Sequence, residues 1–211
     1  MQKFADAASD IDFHAYAQRR LYLLCKRIFD VLFSIISVLI LWPFMLLLAV
    51  IIKADSAGTA FFKQTRLGYK GKSFTMYKFR SMRLDAEKDG PKWASEEDSR
   101  TTKVGRFIRK TRLDELPQLF NIIRGDMSFV GPRPERAVFY DEFDAYIEGY
   151  RKRMLVLPGL TGWAQINGGY NLGAEHKIVY DMEYVRKYSF LLDVKIIFLT
   201  FKVVFTGEGA R

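Results

Sequence analysis

From Val31 to Ile52 the chain reads VLFSIISVLILWPFMLLLAVII, 22 residues without a charge. A run of that length can span a hydrocarbon core as a helix, and it constrains the fold more than any other feature of the sequence. A core helix of a globular protein keeps a polar stripe on its outer face, whereas this run has only Ser34 and Ser37. Thirty residues precede it and no small-residue cleavage site follows it, which does not fit a cleaved signal peptide. Pro43 divides the run into 12 residues before it and 9 after it. At about 1.5 Å per residue the two parts measure roughly 18 and 14 Å, each short of a hydrocarbon core about 30 Å thick. Proline removes a helical hydrogen bond and clashes with the preceding turn, so a bend is expected between Leu39 and Pro43. Lys26 and Arg27 lie before the run, and Lys53, Lys63, Arg66, Lys70 and Lys72 lie after it. A re-entrant hairpin, entering and leaving on one face, satisfies the bias of basic residues toward the cytoplasm at both ends; a straight, kinked spanning helix is the alternative.

The rest of the composition limits the chemistry. With 211 residues, 49% of them hydrophobic and 15% aromatic, the chain can bury the core of one domain and leave some length for an appendage. Cys25 is the single cysteine, which excludes an intrachain disulfide. His14 and His176 are the only histidines, too few for a Cys/His zinc set and poor material for a serine or cysteine triad. Chemistry then falls to carboxylates, Lys and Arg, with or without a hard cation. A net charge of +9 calls for an anionic partner: nucleic acid, a phosphorylated small molecule or anionic lipid.

Beyond the apolar run, GTAFFKQTRLGYKGKSFTMYKFRSM alternates aromatic and basic residues around Gly68 and Gly71 and predicts a strand, a turn and a second strand. RLDAEKDGPKWASEEDSRTTK reads as an exposed loop with some helix. VGRFIRKTRLDELPQLFNIIRGD reads as a helical pair, with Val104, Phe107 and Ile108 on one face, Leu116, Leu119, Phe120 and Ile123 on another, and a stop at Gly125. The aromatic stretch at 191–205 predicts either an interfacial helix or a core helix.

Within that pair lies TRLDELPQLFN, residues 111 to 121, where adjacent acids follow a very basic stretch. Pro117 fits the first turn of a helix, which places Asp114 at the N-cap and Glu115 first. The acids would then sit at the positive end of a helix dipole, among Arg106, Arg109, Lys110 and Arg112. Such a place can bind phosphate beside an ionised carboxylate; an ordinary capped helix with an acidic first turn has the same local pattern. In DMSFVGPRPE, Pro132 and Pro134 stiffen the backbone that presents Arg133, a mount suited to bidentate phosphate binding. PGLTGWAQINGG, residues 158 to 169, offers Trp163, Gln165 and Asn167, planar and polar groups suited to lining a sugar or base pocket, although many surface turns look similar.

Together, KFRSM at 78 to 82, RKTRLDELPQLFN at 109 to 121, GDMSFVGPRPE at 125 to 135 and PGLTGWAQINGG, all following a proline-broken apolar run, resemble the monotopic phosphoglycosyl transferases, bacterial sugar transferases that start glycan assembly on undecaprenyl phosphate. The resemblance covers the chain from about Cys25 to Arg211 and matches the short form of the family. It departs at Trp42-Pro43, where family members often have Ser-Pro and so a hydroxyl able to satisfy a freed carbonyl. The resemblance implies an α+β fold: a mostly helical, small cytoplasmic domain with a short β-hairpin, anchored by an N-terminal re-entrant helix-break-helix and interfacial amphipathic helices. Its parts would be an interfacial segment over 1–24, a membrane hairpin over 25–53 and a catalytic domain over 54–211.

By the same resemblance, a UDP-sugar would give its phosphosugar to a polyprenyl phosphate with release of UMP. Asp114 would be the nucleophile, forming an acyl phosphate, and Asp114 and Glu115 would hold Mg²⁺. Lys78, Arg109 and Arg133 match family positions near the phosphates and uridine, and Asp181 and Asp193 match later acids, grouped with the substrate site, whose individual roles the resemblance does not assign. The implied setting is the cytoplasmic face of a bacterial inner membrane, with membrane lipid as a partner and no nucleic acid. Residues 1–24 would supply an interfacial helix or the contact of a homodimer. A membrane-anchored module binding nucleic acid or anionic lipid is the competing reading, and it leaves the Asp-Glu pair and the Pro-Arg-Pro mount without a purpose. Neither the sugar nor the glycan pathway is set by these residues.

Overall fold

The structure is a computed structural model and describes residues 20–88, 90, 98–168 and 172–206, the side chains of 204–206 excepted. The expectations for residues 1–19, and for most of the loop over 89–97, lie outside the described residues.

Helix α1 (Arg20–Asp55) contains 36 residues and runs through Pro43 without interruption. The two separate helices expected on either side of the proline are therefore not formed. A helix interior can lose the one hydrogen bond that proline removes when packing holds both sides. Here a single stripe does so: Asp30, Ser34, Val38, Leu41, Met45, Leu48 and Ile52 recur at helical spacing and all are buried or partly buried against the domain. The other faces of α1 stay apolar and open, with Leu39, Ile40, Trp42, Leu46, Leu47 and Val50 all more than half exposed. Among the described residues, α1 is the one helix long and apolar enough to cross a membrane.

Strands β1 (Phe61–Leu67) and β2 (Ser73–Phe79) form the expected antiparallel hairpin, in a register that sets Thr65 opposite Thr75. Its turn uses positive φ at Lys70 and Gly71. Helix α2 (Lys103–Lys110) starts at Thr102, whose hydroxyl accepts the Gly105 N–H at 2.9 Å. The backbone passes so close to Ser81 at Gly105 that a Cβ there would strike the Ser81 carbonyl, which docks α2 against the end of the hairpin. Ile108 is fully buried, but Phe107, expected on the same face, is 60% exposed. Helix α3 (Gln118–Arg124) ends at Gly125, at φ 93, as its sequence predicts.

Strand β3 (Ser128–Val130) pairs in parallel with β4 (Gly159–Thr161). Between them lie α4 (Ala137–Asp144) and a 3₁₀ segment over Tyr150–Leu155. The short helix α5 (Trp163–Ile166), α6 (Ala174–Lys187) and α7 (Phe190–Thr206) complete the chain. Tyr140, Tyr150, Ile178, Met182, Tyr184 and Ile196 form the main core, and α1 closes two smaller clusters around Phe79 and Ile108 and around Met76 and Ile122. Helix α7, expected as either an interfacial or a core helix, buries Ile196 fully and leaves Phe190, Leu191, Phe198 and Phe201 exposed.

Candidate active site

The acidic pair takes a different local form from the one expected. Arg112 leaves α2 in the left-handed region, at φ 59, and Leu113–Glu115 form a 3₁₀ turn. Successive bonds from Glu115 N to Arg112 O, Leu116 N to Leu113 O and Phe120 N to Pro117 O carry this tight winding into α3. The helix starts at Gln118 with Pro117 at the cap position, so Asp114 is not an N-cap and its side chain makes no capping bond. Pro117, which has no N–H to donate, sits where a helix leaves that donor unused. A non-glycine residue in the left-handed region is strained, and Arg112 places that strain two residues before Asp114.

Asp114 and Glu115 are each 6% exposed and line a cleft of about 320 Å³ together with Lys78, Arg109, Arg112 and Arg133. Lys78 extends from β2 on the face that carries Phe74 and Met76, so the strand aims it at the turn. Its ammonium lies 3.1 Å from Glu115 Oε1 and 3.7 Å from Asp114 Oδ2. Arg133, on its proline mount, donates from both Nη atoms to the two oxygens of Glu115. The fork expected to meet phosphate thus meets a carboxylate in this structure. Arg109 lines the same cleft and makes no ion pair among the described residues.

The two carboxyl groups are driven apart. Burial pushes Asp114 up, and the neighbouring Glu115 charge adds to this against the pull of Lys78. Burial also raises Glu115, but Arg133, Lys78 and Arg112 outweigh it and hold its carboxyl far below the usual range. Glu115 is fixed as the ionised partner, leaving Asp114 as the more basic and more nucleophilic carboxylate.

Asn121 fixes the turn relative to Lys78. Its Nδ2 donates to Thr75 O at 2.7 Å and its Oδ1 accepts the Tyr77 N–H at 3.0 Å, so α3 is stitched to the edge of β2. An asparagine inside the apolar run LFNII, where it weakens a helix, was the available sequence signal.

Asp181 and Asp193, expected at the substrate site, are not in the cleft. Asp181 is 1% exposed and pairs with Arg153 at 2.6 Å. Arg153 in turn donates to Tyr150 Oη at 2.6 Å and to the Arg133 carbonyl at 3.1 Å, so Asp181 acts on the site through the backbone of the proline mount. Asp193 accepts bonds from Lys26, Tyr22 and Tyr184 at 2.6 to 2.8 Å and joins α7 to α1 and α6. Both are held in the core by these partners and neither lines the cleft. Trp163, Gln165 and Asn167 do not line this cleft either: Trp163 Nε1 donates to Glu183 at 2.8 Å, Gln165 donates to Leu160 O and Asn167 to Trp163 O. Gly159 and Gly162 of this motif serve close packing, since a Cβ at either would strike the Gly131 backbone.

Among the described residues, no group of three or more His, Cys, Asp or Glu side chains is placed to hold a metal. The cleft offers two adjacent hard carboxylates, which suits Mg²⁺ in its usual mode of one or two protein carboxylates completed by substrate phosphates and water.

The sequence profile of the bacterial sugar transferases matches residues 21–207, nearly the whole chain. The chain belongs to this family. Among its relatives, a UDP-N-acetylgalactosamine-undecaprenyl-phosphate N-acetylgalactosaminephosphotransferase of Aeromonas hydrophila is 45% identical over 194 residues, 90% of this chain and 46% of that one. A UDP-glucose:undecaprenyl-phosphate glucose-1-phosphate transferase of Escherichia coli (strain K12) is 40% identical over 192 residues, 89% of this chain and 41% of that one. EpsL, an uncharacterized sugar transferase of Bacillus subtilis (strain 168), is 41% identical over 189 residues, 90% of this chain and 91% of that one. The chain therefore spans less than half the length of the first two relatives and about nine-tenths of the third.

Proposed function

We propose that this chain transfers a sugar-1-phosphate from a UDP-sugar to a polyprenyl phosphate and releases UMP. The observation that carries the proposal is the buried Asp114–Glu115 pair at a cleft otherwise rich in guanidinium and ammonium groups. A carboxylate of Asp114 attacks the β-phosphorus, the bond to the bridging oxygen breaks, and UMP leaves with that electron pair. The acceptor phosphate oxygen then attacks the same phosphorus and returns the carboxylate to Asp114. An ionised aspartate needs no general base, and Lys78, Arg109 and Arg133 offset the repulsion between carboxylate and diphosphate. Asp114 and Glu115 would hold Mg²⁺ together with the diphosphate, and the ion would supply further charge neutralisation. The names of the Aeromonas and Escherichia relatives, both acting on undecaprenyl phosphate, support this reading.

The same proposal places the chain on the cytoplasmic face of the inner membrane, with α1 entering and leaving on one side. Contacts with the domain run along α1 from Tyr22 and Lys26, beside Asp193, to Ile52, beside Ala60 and Phe79. That is roughly 45 Å of helix at 1.5 Å per residue, more than the thickness of a hydrocarbon core. A straight transbilayer α1 would drag its polar partner domain into lipid, whereas an in-plane or re-entrant α1 keeps the domain in water and its open apolar face in the membrane.

The test uses radiolabelled UDP-sugar without lipid acceptor. Label should stay on the wild-type protein, map to Asp114 and discharge when polyprenyl phosphate is added. Asp114→Asn should fold and release essentially no UMP. Normal turnover by that variant, or label at another residue, would remove Asp114 from the chemistry.

A further inference from the structure

Lys177 stands in the wall of the cleft that contains Asp114 and Glu115, although no motif singled it out. It projects from α6, whose Ile178, Met182 and Val185 are buried in the main core, so the helix fixes where its stem starts. The residue is 7% exposed. The charges that act on it most strongly are Glu135 from the segment before α4, Arg153 from the 3₁₀ segment, Arg133 from the proline mount, and Asp181 one turn along α6. The two acids are shared with other cations, Glu135 with Arg66 at 3.0 Å and Asp181 with Arg153 at 2.6 Å, and the two guanidinium groups repel an ammonium. A phosphate that enters the cleft would add an anion within reach of this ammonium.

We propose that Lys177 is a substrate-binding residue that takes a phosphate oxygen of the nucleotide donor, a role resting on the phosphosugar-transfer reading above. Burial pushes the lysine of the unliganded protein down to about 8. Only its protonated form attracts phosphate, so affinity is full below that value and is lost as pH rises through it. The dissociation constant should climb by up to about tenfold per pH unit until the value of the complex is passed. A lysine that merely balances Glu135 and Asp181 would alter stability and leave this proton linkage absent.

The probe is UDP, titrated calorimetrically into the full chain in detergent from about pH 7 to about pH 9.5, a window that brackets the lowered lysine value of about 8 and stays below the ordinary one. Wild type should weaken progressively above pH 8. Lys177→Met should bind UDP about tenfold or more weakly at the lower pH, as expected for a lost charged hydrogen bond, and show no further decline. Lys177→Arg, charged throughout, should bind within a few-fold of wild type at the lower pH and stay flat. Ionisation of the uracil ring affects all three chains alike. If Lys177→Met fails to fold, the arginine variant decides: a decline retained there overturns the assignment. Unchanged binding by a folded Lys177→Met overturns it alone, and a wild type that binds no UDP overturns both this role and the proposed function.

Discussion

Asp114 and Glu115 are neighbours of equal exposure, yet burial and their different cations give them opposite shifts, and that division has consequences for rate and stability. In the proposed mechanism Asp114 attacks only when ionised, so kcat/KM should fall as pH drops through a value above the ordinary aspartate range. Lys78 opposes the rise, and Lys78→Met should move this acid limb to higher pH, as read from UMP release across pH. For stability the sign is opposite to that of a salt-bridged acid. A folded-state value above the unfolded one means that the ionised carboxylate costs stability at neutral pH and that the cost is relieved on acidification. Asp114→Asn should therefore melt no lower than wild type at neutral pH. Arg133 supplies geometry as well as charge, because its fork spans both oxygens of Glu115. Arg133→Lys should lose about 1.5 to 3 kcal/mol of charged hydrogen bonding, a fall in kcat/KM of roughly 10- to 150-fold.

Secondary-structure elements position these residues through a few buried polar ties. Arg27 of α1 donates to Ile122 O at 2.6 Å and Ile123 O at 2.8 Å, capping the end of α3, while Asn121 ties the same helix to β2. The turn that carries Asp114 and Glu115 is thus tied at once to the apolar helix and to the strand that carries Lys78. On the other side, Arg153 and Asp181 support the proline mount. Removing one partner leaves a buried charge, so Asp181→Leu should cost about 3 to 5 kcal/mol of stability. Adding Arg153→Met should recover much of that stability in denaturant titrations. It should not recover kcat/KM, because the Arg133 carbonyl has lost its donor; a double variant with normal activity would remove Arg153 from the support of Arg133.

At the scale of the whole molecule, a basic chain carries a long helix, α1, whose open apolar face the proposed setting turns toward the membrane. With cysteines at Lys3 and Ser73 in a Cys25→Ser background, the one-sided topology requires both to resist a membrane-impermeant thiol reagent in intact cells; labelling at position 3 alone would establish a crossing helix. The sequence determined what local chemistry can determine. The uncharged run, the β-hairpin with its glycine turn and the stop at Gly125 follow from charge, alternation and backbone freedom within a few residues. The motifs around Asp114, Lys78 and Arg133 were visible because reactive groups stand beside prolines and unlike charges. Only the tertiary structure decided the rest. It showed α1 continuous through Pro43 because a stripe of side chains packs on both sides of it, a partner no local window contains. It moved Asp181 and Asp193 from the site into the core, since an acid's role depends on the cation brought to it from far along the chain: Arg153 in one case, Lys26 in the other. It brought Lys177 into the cleft, because the face a helix turns toward a ligand is set by the packing of its opposite side.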